Sequence, residues 1–381
     1  MLKILHLLSN WKWTERAEPA ADMVLGQIQM GAKPTFVCGR CPFETSDAVE
    51  HRARNKGLDP IALNLAKHFD PLSAMVAWPR LARFLKARQF DIVHAHMLNA
   101  HLLGGLAARF SLPRARVVCT FYEPDGPRPG LRQKLLLHRF TDGAVVITPQ
   151  ARDNLAAQFH FPESRIAVIE PGMDVARFDS PMPRDAARML FGLAPTDHVV
   201  GMVTRIREAR RLDLVIQAVA QLAKADPSLK LMIVGRGGEG AVENVIEKPA
   251  EALGIRDRII LPGYCRDQML MAAYKAMDVL VYPAPGTDPS CRTVREAMAS
   301  SLPVVACQLG FLNTLVKEGE TGFLTPSDPA AMAAAIKRLL EDPERREIMG
   351  RQSGIQARDR FSNRRQAEQC LMFYEKLESR R

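Results

Sequence analysis

Short runs of apolar, often β-branched residues alternate with longer stretches of helical periodicity along almost the whole chain, and this alternation constrains the fold more than any other feature. Strands that are buried on both faces of a parallel sheet have near-continuous apolar sequences, because helices cover both sides. We therefore predict an α/β fold with doubly wound parallel sheets. In the first half the predicted strands lie at 3–8, 35–37, 61–63, 91–94, 116–120, 144–147 and 166–169.

The pattern restarts after a proline-punctuated link, "DSPMPRDAARMLFG" at 179–192, which predicts a second domain. A chain of 381 residues also exceeds one comfortable hydrophobic core. We predict Rossmann-like domains at 1–178 and 179–360, and a C-terminal helix at 361–381 that crosses back to the first domain. Open α/β sheets bind ligands at the carboxyl ends of their strands, so we expect a site in a cleft between two such edges. In the second half the predicted strands lie at 198–203, 230–234, 259–261, 279–282, 304–306 and 322–324.

The charge of the chain suits anionic partners, since 52 Lys and Arg exceed 42 Asp and Glu by ten. No basic patch interleaved with aromatic residues is visible, so we do not expect nucleic acid as a partner. The stretch "RPGLRQKLLLHRF" at 128–140 either faces acidic headgroups or forms a solvated helix face. No run approaches the ~18 apolar residues of a membrane span, and we expect a cytoplasmic protein that contacts the inner face of the plasma membrane peripherally.

The cysteines do not indicate a disulfide framework or a metal site. Seven cysteines are scattered along the chain, and an odd number in a long chain argues against paired disulfides. Cys38 and Cys41 have the spacing of a redox motif, but Pro42 interrupts the helix that such a motif needs. We predict a loop with free thiols, and no cofactor or metal ion.

Two loops after predicted strands of the second domain suit phosphate. In "GMVTRIREARRLDLVIQA" at 201–218, Arg205 and Arg210 lie on a strand-to-helix loop, where planar guanidinium groups match phosphate oxygens. In "IVGRGGEG" at 233–240, glycines allow the backbone to approach a ligand closely. Each loop has an ordinary alternative: a solvated basic loop for the first, and tight-turn chemistry for the second.

The stretch "TDPSCRTVREAMASSLPVVA" at 287–306 places carboxylates on either side of a predicted helix start. Thr293 and Glu296 fit a capping box, which would give Glu296 a purely structural role. A cap does not explain Asp288, which precedes the helix. A carboxylate that faces sugar hydroxyls, and free backbone N–H groups that face phosphate, would both suit this loop.

Strand ends of the first domain carry a second group of candidates. His94 and His96 follow a predicted strand, and if the strand continues both point to the same side, where they could bind a metal or a substrate hydroxyl. Packed, hydrogen-bonded histidines are the commoner outcome. The loop "WKWTERAEP" at 11–19 supplies Trp13, Thr14 and Arg16, which suit sugar stacking and anion pairing, although ordinary packing of the tryptophans is equally consistent.

Taken in order, these blocks resemble the retaining GT-B glycosyltransferases of glycosyltransferase family 4 over nearly the whole chain. The family pattern of two acidic residues with seven residues between them matches Asp288 and Glu296, and Arg205 and Arg210 match its arginine and lysine. The matching blocks are "DIVHAH" at 91–96, "VVITP" at 145–149, "PGMDVARF" at 171–178, "TRIREARRLDLV" at 204–215, "IVGRG" at 233–237, "AMDVLVYP" at 276–283, "EAMA" at 296–299 and "LPVVA" at 302–306.

The resemblance implies transfer of a sugar from a UDP- or GDP-sugar to a hydroxyl of a glycan or lipid-linked acceptor, in lipopolysaccharide or other polysaccharide synthesis. Arg205 and Arg210 would neutralise the leaving diphosphate without a metal, Glu296 would hold the ribose, and Asp288 and Tyr122 would contact the donor sugar. The first domain would bind the acceptor, through Trp13, Thr14, Arg16, His94 and His96. The remaining nucleotide-sugar contacts would be Gly235, Arg236, Gly237, Tyr264, Cys265, Ser290, Cys291, Arg292 and Thr293.

Three departures from the family pattern keep other functions open. Tyr122 stands where the family usually has histidine, Thr314 where many members have glutamate, and Asp288 is one methylene shorter than glutamate. The alternative is a non-catalytic sugar-nucleotide or glycan-binding protein of the same fold. A nucleotide-sugar epimerase should show more acid and base residues, and a dehydrogenase should carry an early dinucleotide fingerprint.

Overall fold

The structure, a computed structural model, describes residues 2–112, 114–179, 181–284 and 291–379. It divides into two compact units: unit 1 consists of Met1–Asp174 and Phe361–Arg381, and unit 2 of Val175–Arg360. Each unit contains one parallel sheet with helices between its strands, so the predicted α/β class is confirmed. The chain leaves unit 1 four residues before the predicted boundary at 178.

Unit 1 contains a seven-stranded parallel sheet in the order β3-β2-β1-β4-β5-β6-β7. Its strands are β1 Ile4–Leu8, β2 Thr35–Gly39, β3 Ile61–Leu63, β4 Ile92–Ala95, β5 Arg116–Phe121, β6 Gly143–Val146 and β7 Ile166–Val168. The first six helices are α1 Ala17–Gln29, α2 Val49–Asn55, α3 Pro71–Arg88, α4 Leu98–Ser111, α5 Leu131–Phe140 and α6 Pro149–Phe159.

Unit 2 contains a six-stranded parallel sheet in the order β10-β9-β8-β11-β12-β13. Its strands are β8 His198–Val203, β9 Leu229–Val234, β10 Ile259–Gly263, β11 Val279–Tyr282, β12 Val304–Cys307 and β13 Gly322–Thr325. The following helices are α7 Arg184–Met189, α8 Leu212–Ala223, α9 Lys248–Ala252, α10 Asp267–Ala276, α11 Arg292–Ala299, α12 Leu312–Leu315, α13 Pro329–Leu340, α14 Pro343–Phe361 and α15 Asn363–Glu378, and α15 belongs to unit 1.

The register between β1 and β4 decides which side chains share a face of the unit 1 sheet. His6 is the direct partner of His94, so both side chains lie on the same face. The odd-numbered neighbours Leu5, Leu7 and Val93 face the other way, into the largest apolar core of the unit. The His6 face is covered by α1 and by α15, whose Phe373 and Tyr374 pack with Ile4 of β1.

The start of one helix differs from the position that the sequence pattern predicts. The sequence suggests a helix that starts at Pro79, whereas α3 begins eight residues earlier, at Pro71, because Asp70 caps it by accepting a hydrogen bond from the Ser73 backbone N–H at 2.9 Å. The helix that the sequence pattern predicts for 241–253 is present at 241–252, and it contains a π-helical segment, Glu243–Glu247, that leads directly into α9. Among the described residues, no helix is both long enough and apolar enough to cross a bilayer.

Candidate functional site

The loops that follow β8, β9 and β10 lie side by side at the carboxyl edge of the unit 2 sheet, which we call the unit 2 edge. Backbone hydrogen bonds join them: Thr204 N–H to Val234 O at 2.9 Å, Ile206 N–H to Arg236 O at 2.9 Å, and Gly235 N–H to Gly263 O at 2.8 Å. A Cβ on Gly235 would overlap the Thr204 carbonyl oxygen, at a φ of +154°, so only glycine fits this crossing. The structure therefore brings Arg205, Gly235, Arg236 and Gly237 together.

Tyr264 forms an exposed aromatic platform beside these glycines. The guanidinium carbons of Arg236 and Arg266 lie 4.7 and 4.9 Å from its ring centroid, and the tyrosine is 52% exposed. Cys265 next to it is buried, and burial raises the pKa of its thiol. The exposed tyrosine and the two guanidinium groups over its ring combine planar surfaces with positive charge, which suits a flat heterocycle and its phosphates, and the cysteine contributes a neutral wall.

Arg210 holds a buried positive charge at the same edge. Arg210 is only 5% exposed. Its Nη1 donates a hydrogen bond of 3.3 Å to the hydroxyl of Tyr282, the last residue of β11. Arg205, by contrast, is exposed. A guanidinium held rigidly where the ends of neighbouring parallel strands meet is well placed to bind a phosphate oxygen.

Glu296 lies one turn inside α11 with both carboxylate oxygens occupied. Oε1 accepts from Arg292 Nε at 2.7 Å and from Arg177 Nη2 at 3.0 Å, and Oε2 accepts from the Tyr274 hydroxyl at 2.9 Å. Burial raises the pKa of Tyr274 well above its ordinary value, and the neighbouring Glu296 carboxylate raises it further. Glu296 is thus a buried, doubly ion-paired carboxylate.

The capping box considered for Thr293 and Glu296 is wrong. The helix begins at Arg292 behind Cys291, which adopts a left-handed backbone with φ +46° and makes no side-chain cap. The Glu296 carboxylate contacts the side chains of Arg292, Arg177 and Tyr274, so the cap does not account for this residue. Asp288 and Ser290, the other predicted contacts of this loop, lie outside the described residues.

The predicted residues of the 11–19 loop pack within unit 1. Arg16 forms an ion pair with Glu123 at 2.6 Å, and both side chains remain more than a third exposed. Trp13 is half-buried, and its indole N–H lies 3.4 Å from Glu18 Oε2. The Thr14 hydroxyl is buried and has no hydrogen-bond partner among the described residues. The ion pair ties this loop to the residue that follows Tyr122.

His94 and His96 share a face, as expected for a strand that continues, and their rings stack with centroids 4.5 Å apart. His94 contacts the Tyr374 hydroxyl through Nδ1 at 2.5 Å and the Thr120 hydroxyl through Nε2 at 2.7 Å. His96 contacts the Tyr122 hydroxyl through Nδ1 at 2.9 Å. Both histidines are buried, and burial lowers the pKa of each well below the ordinary value, so both imidazoles are neutral.

Several residues of these sites carry little local sequence signal. His6 lies within an apolar strand, and its place beside His94 follows only from the strand register. Arg177 and Tyr274 reach Glu296 from 119 and 22 residues away in the chain. For Arg177 the only signal was its position in the block "PGMDVARF".

Comparisons with known proteins assign both halves of the chain to glycosyltransferase families. The family model "Glycosyl transferases group 1" matches residues 184–354, and "Glycosyltransferase Family 4" matches residues 20–177.

Curated relatives and solved structures agree with those matches. A D-inositol 3-phosphate glycosyltransferase of Rhodococcus opacus is 32% identical over 273 residues, which cover 67% of this chain and 60% of the relative. A protein of that name from Segniliparus rotundus is 30% identical, over 76% of this chain and 67% of the relative. The crystal structure of Anabaena HepE in complex with UDP aligns over 98% of this chain and 100% of its own, with a TM-score of 0.80 and 19% identity. The chain thus spans about 60% of the length of the first of these curated relatives.

Proposed function

The chain belongs to the group 1 glycosyl transferases, its first half matches the glycosyltransferase family 4 model, and on that basis we propose that it transfers a sugar from a nucleoside diphosphate sugar to an acceptor hydroxyl. Its fold is the GT-B fold, with one parallel α/β sheet in each unit. The observation that carries the proposal is Arg210, a buried guanidinium at the unit 2 edge beside the close backbone approach at Gly235.

In this proposal, different residues of unit 2 contact different parts of the donor. Arg205 and Arg210 bind the diphosphate and stabilise the negative charge that develops as it leaves, which makes a divalent cation unnecessary. Gly235 and Gly237 allow the loops that follow β8 and β9 to pack closely, so that their backbone borders the phosphates, and the Tyr264 platform borders the base. Glu296 accepts from the ribose hydroxyls by exchanging one of its arginine contacts.

The other predicted contacts complete the site. We propose Asp288, Ser290, Cys291, Arg292 and Thr293 as further contacts of the donor sugar and its phosphates, and Tyr122 as a contact of the donor sugar. We propose that the sugar keeps its anomeric configuration, and that Trp13, Thr14, Arg16, His94 and His96 shape the acceptor side. The crystal structure of HepE in complex with UDP supports a UDP-sugar as the donor, and GDP-sugars are the alternative.

The acceptor is a hydroxyl-rich molecule. The curated relatives carry the name D-inositol 3-phosphate glycosyltransferase, so an inositol phosphate is the first acceptor to test. Glycan and lipid-linked acceptors, as in lipopolysaccharide or polysaccharide synthesis, form the second set. The net charge of +10 suits an anionic acceptor such as an inositol phosphate.

Thermal stabilisation by nucleotides tests the donor site. UDP, GDP and their sugars are added to the protein, since a ligand at 100 times its Kd adds about 2.7 kcal/mol of stability. We expect one base to stabilise the protein, and Arg210→Ala to abolish the effect. Arg351→Ala is the matched control, because it removes the same charge from an exposed position on α14. Stabilisation that survives Arg210→Ala, or none with any nucleotide, would contradict the proposal.

Turnover separates an enzyme from a binding protein of the same fold. We expect release of nucleoside diphosphate that depends on acceptor and persists in EDTA, and an NMR coupling constant of the product that matches the anomer of the donor. Binding without turnover would favour the binding protein instead. The observation in favour of that alternative is that the Tyr122 hydroxyl is engaged inside unit 1 with His96.

We also propose that unit 1 contacts anionic membranes through a patch formed by the exposed side chains at the starts of α3 and α5. Leu72 and Met75 are 76% and 74% exposed, and Leu131 is 85% exposed. Arg132 lies over the ring of Phe69, 4.5 Å from the guanidinium carbon to the centroid, and so connects the two helix starts. Apolar side chains beside exposed arginines match the surface of an anionic bilayer.

Vesicle sedimentation tests this contact. We expect binding to phosphatidylglycerol vesicles and weak binding to phosphatidylcholine vesicles, with the difference reduced by Leu131→Ser. Met189→Ser, an equally exposed apolar residue in unit 2, is the matched control. Equal binding to both lipids, or equal effects of the two substitutions, would exclude the patch.

A further inference from the structure

An open cavity of about 160 Å³ lies at the carboxyl ends of β2 and β3 in unit 1, against α3. All of its lining residues belong to unit 1, so the cavity is complete within that unit. A water molecule takes up about 30 Å³ of liquid, so there is room for a group of several heavy atoms. The cavity, which we call the Arg40–Arg80 cavity, is lined by Arg40, Leu63, Asn64, Leu65, Ala77 and Arg80.

Backbone pairing between β2 and β3 holds the wall of the cavity in place. Gly39 is the register partner of Leu63, and the backbone N–H of Arg40 donates to the Leu63 carbonyl oxygen at 2.7 Å. The loop after β3 is also tied to α4, because the side-chain amide of Asn99 donates to the Ala66 carbonyl oxygen at 2.6 Å. Hydrogen bonds on two sides therefore fix the backbone that carries the cavity.

The floor of the cavity is apolar and its rim is cationic. Leu65 and Ala77 are 5% and 4% exposed, and both belong to the largest apolar core of unit 1. Arg40, Asn64 and Arg80 are exposed, and none of the six lining residues is acidic. Because an apolar floor lowers the local dielectric constant, the rim attracts an anion more strongly than the same charges would in open water.

Both guanidinium groups have hydrogen-bond donors left for a ligand. Arg40 uses Nη2 for the Ala62 carbonyl oxygen, at 3.3 Å. Among the residues that the structure describes, the Arg80 side chain has no hydrogen-bond or ion-pair partner. A guanidinium carries several N–H donors in a planar fork, so most of them remain available. Two cations on the rim of one cavity also repel each other, and a bound anion removes that repulsion.

We propose that the Arg40–Arg80 cavity binds the phosphate group of a phosphorylated molecule, with the two guanidinium groups and the Asn64 amide as hydrogen-bond donors. A phosphomonoester carries about two negative charges at neutral pH, which matches two arginines, and its oxygens fit the planar guanidinium fork. Parallel α/β sheets bind ligands at the carboxyl ends of their strands, where this cavity lies. The site is separate from the proposed donor site, because that site lies in unit 2 and this cavity in unit 1.

Two kinds of molecule carry such a group, namely soluble polyol phosphates and phospholipids, and α3 connects the cavity with the second kind. Leu72, Val76 and Arg80 follow one another at intervals of four residues, so they lie along one side of the helix. Leu72 and Val76 are 76% and 52% exposed, and Leu72 belongs to the patch at the starts of α3 and α5. Phospholipid headgroups lie at such boundaries between apolar and cationic side chains. The test therefore has one arm for each source of phosphate.

Urea unfolding of the full-length protein in sn-glycerol 3-phosphate tests the soluble source. Tryptophan fluorescence reports on unit 1, which contains all three tryptophans, and a ligand that binds only the folded unit raises its unfolding free energy. Sodium chloride keeps the ionic strength constant, and glycerol is the uncharged control. We expect Arg40→Gln and Arg80→Gln each to weaken binding about tenfold or more, as for the loss of a charge-assisted hydrogen bond.

Vesicle sedimentation tests the lipid source. Phosphatidylcholine vesicles contain either phosphatidic acid, a phosphomonoester, or cholesteryl hemisuccinate, a carboxylate, at equal surface charge. We expect the protein to prefer phosphatidic acid, and Arg40→Gln combined with Arg80→Gln to abolish the preference. Arg83→Gln is the matched control in both arms, because it removes the same charge from an exposed position on α3 that does not line the cavity.

The outcomes of the two arms decide the inference and keep it apart from the proposed function. Phosphate-dependent binding that is lost without Arg40 and Arg80, in either arm, supports the site and identifies the source of the phosphate. If neither arm depends on these two arginines, or if Arg83→Gln has the same effect, the inference is overturned. Stabilisation by UDP should be the same in all of these variants, and its absence would count against the donor site of unit 2 alone.

Discussion

Mild acid should destabilise unit 1 selectively, because four histidines are buried there as neutral groups. His6, His94, His96 and His101 are each at most 1% exposed. Burial lowers the pKa of His6 to about 4 and that of His101 to about 3, and lowers those of His94 and His96 well below 6.5. In the unfolded chain all four return to a pKa of about 6.5.

The sign and size of the effect follow from proton linkage. As the pH falls below about 6.5, the unfolded chain binds protons that the folded unit does not bind until about pH 4 or lower, so the free energy of unfolding decreases. One pH unit below 6.5 corresponds to about 1.4 kcal/mol for each histidine. Four histidines therefore cost about 5–6 kcal/mol at pH 5.5, a large part of the 5–15 kcal/mol typical of a folded domain.

Urea unfolding followed by tryptophan fluorescence measures this loss in unit 1 alone, because the three tryptophans, Trp11, Trp13 and Trp78, all lie there. We expect the unfolding free energy to drop by several kcal/mol between pH 7.5 and 5.5, before most carboxylates protonate. His101→Gln should reduce the drop by about a quarter, and the exposed His68→Gln should leave it unchanged. A drop below about 1.5 kcal/mol would mean that at most one histidine is held neutral, and would refute the reasoning.

Three further substitutions test the packing inside each unit. Asp278→Asn should cost unit 2 about 3–5 kcal/mol, since the buried carboxylate pairs with three arginines; far-UV circular dichroism should show the loss while the tryptophan transition of unit 1 stays in place. Gly235→Ala should abolish stabilisation by nucleotide, because its Cβ would overlap a backbone carbonyl, whereas Gly238→Ala meets only open space and should be silent in the same assay. Phe373→Ala should cost unit 1 about 3–5 kcal/mol by tryptophan fluorescence, and the exposed neighbour Met372→Ala should cost almost nothing.

The strands and the edge they form were predictable because their sequence signal is local. A strand buried on both faces needs a run of apolar residues, and β8 and β11 show such runs in full. Where a boundary depends on a distant or unusual contact, the prediction failed. The start of α11 depends on the left-handed backbone of Cys291, which no residue preference announces for a cysteine.

The residues of the candidate site differ in the same way, because some have a local sequence signal and others have partners that only the fold reveals. The part of unit 2 that we propose to bind phosphate includes Arg210 and Gly235, and it is predicted from residue type and loop position alone. Arg177 and Tyr274 come from elements that are distant from Glu296 in sequence, so these two contacts could be known only from the fold, whereas Arg292 is an i,i+4 neighbour on the same helix. Local chemistry predicts what a residue can do, whereas tertiary contacts decide which of its options are already used.

Tyr122 shows why that distinction matters for function. From the sequence, replacing the family's histidine with tyrosine reads as the loss of an acid–base group and a reason to doubt activity. In the fold, the Tyr122 hydroxyl contacts His96, and His96 in turn contacts His6. The tyrosine is therefore one member of a buried polar network in unit 1, and in such a network the effect of one side chain depends on the others. The sequence shows which residue type stands at position 122, whereas only the fold shows the side chains with which it is paired.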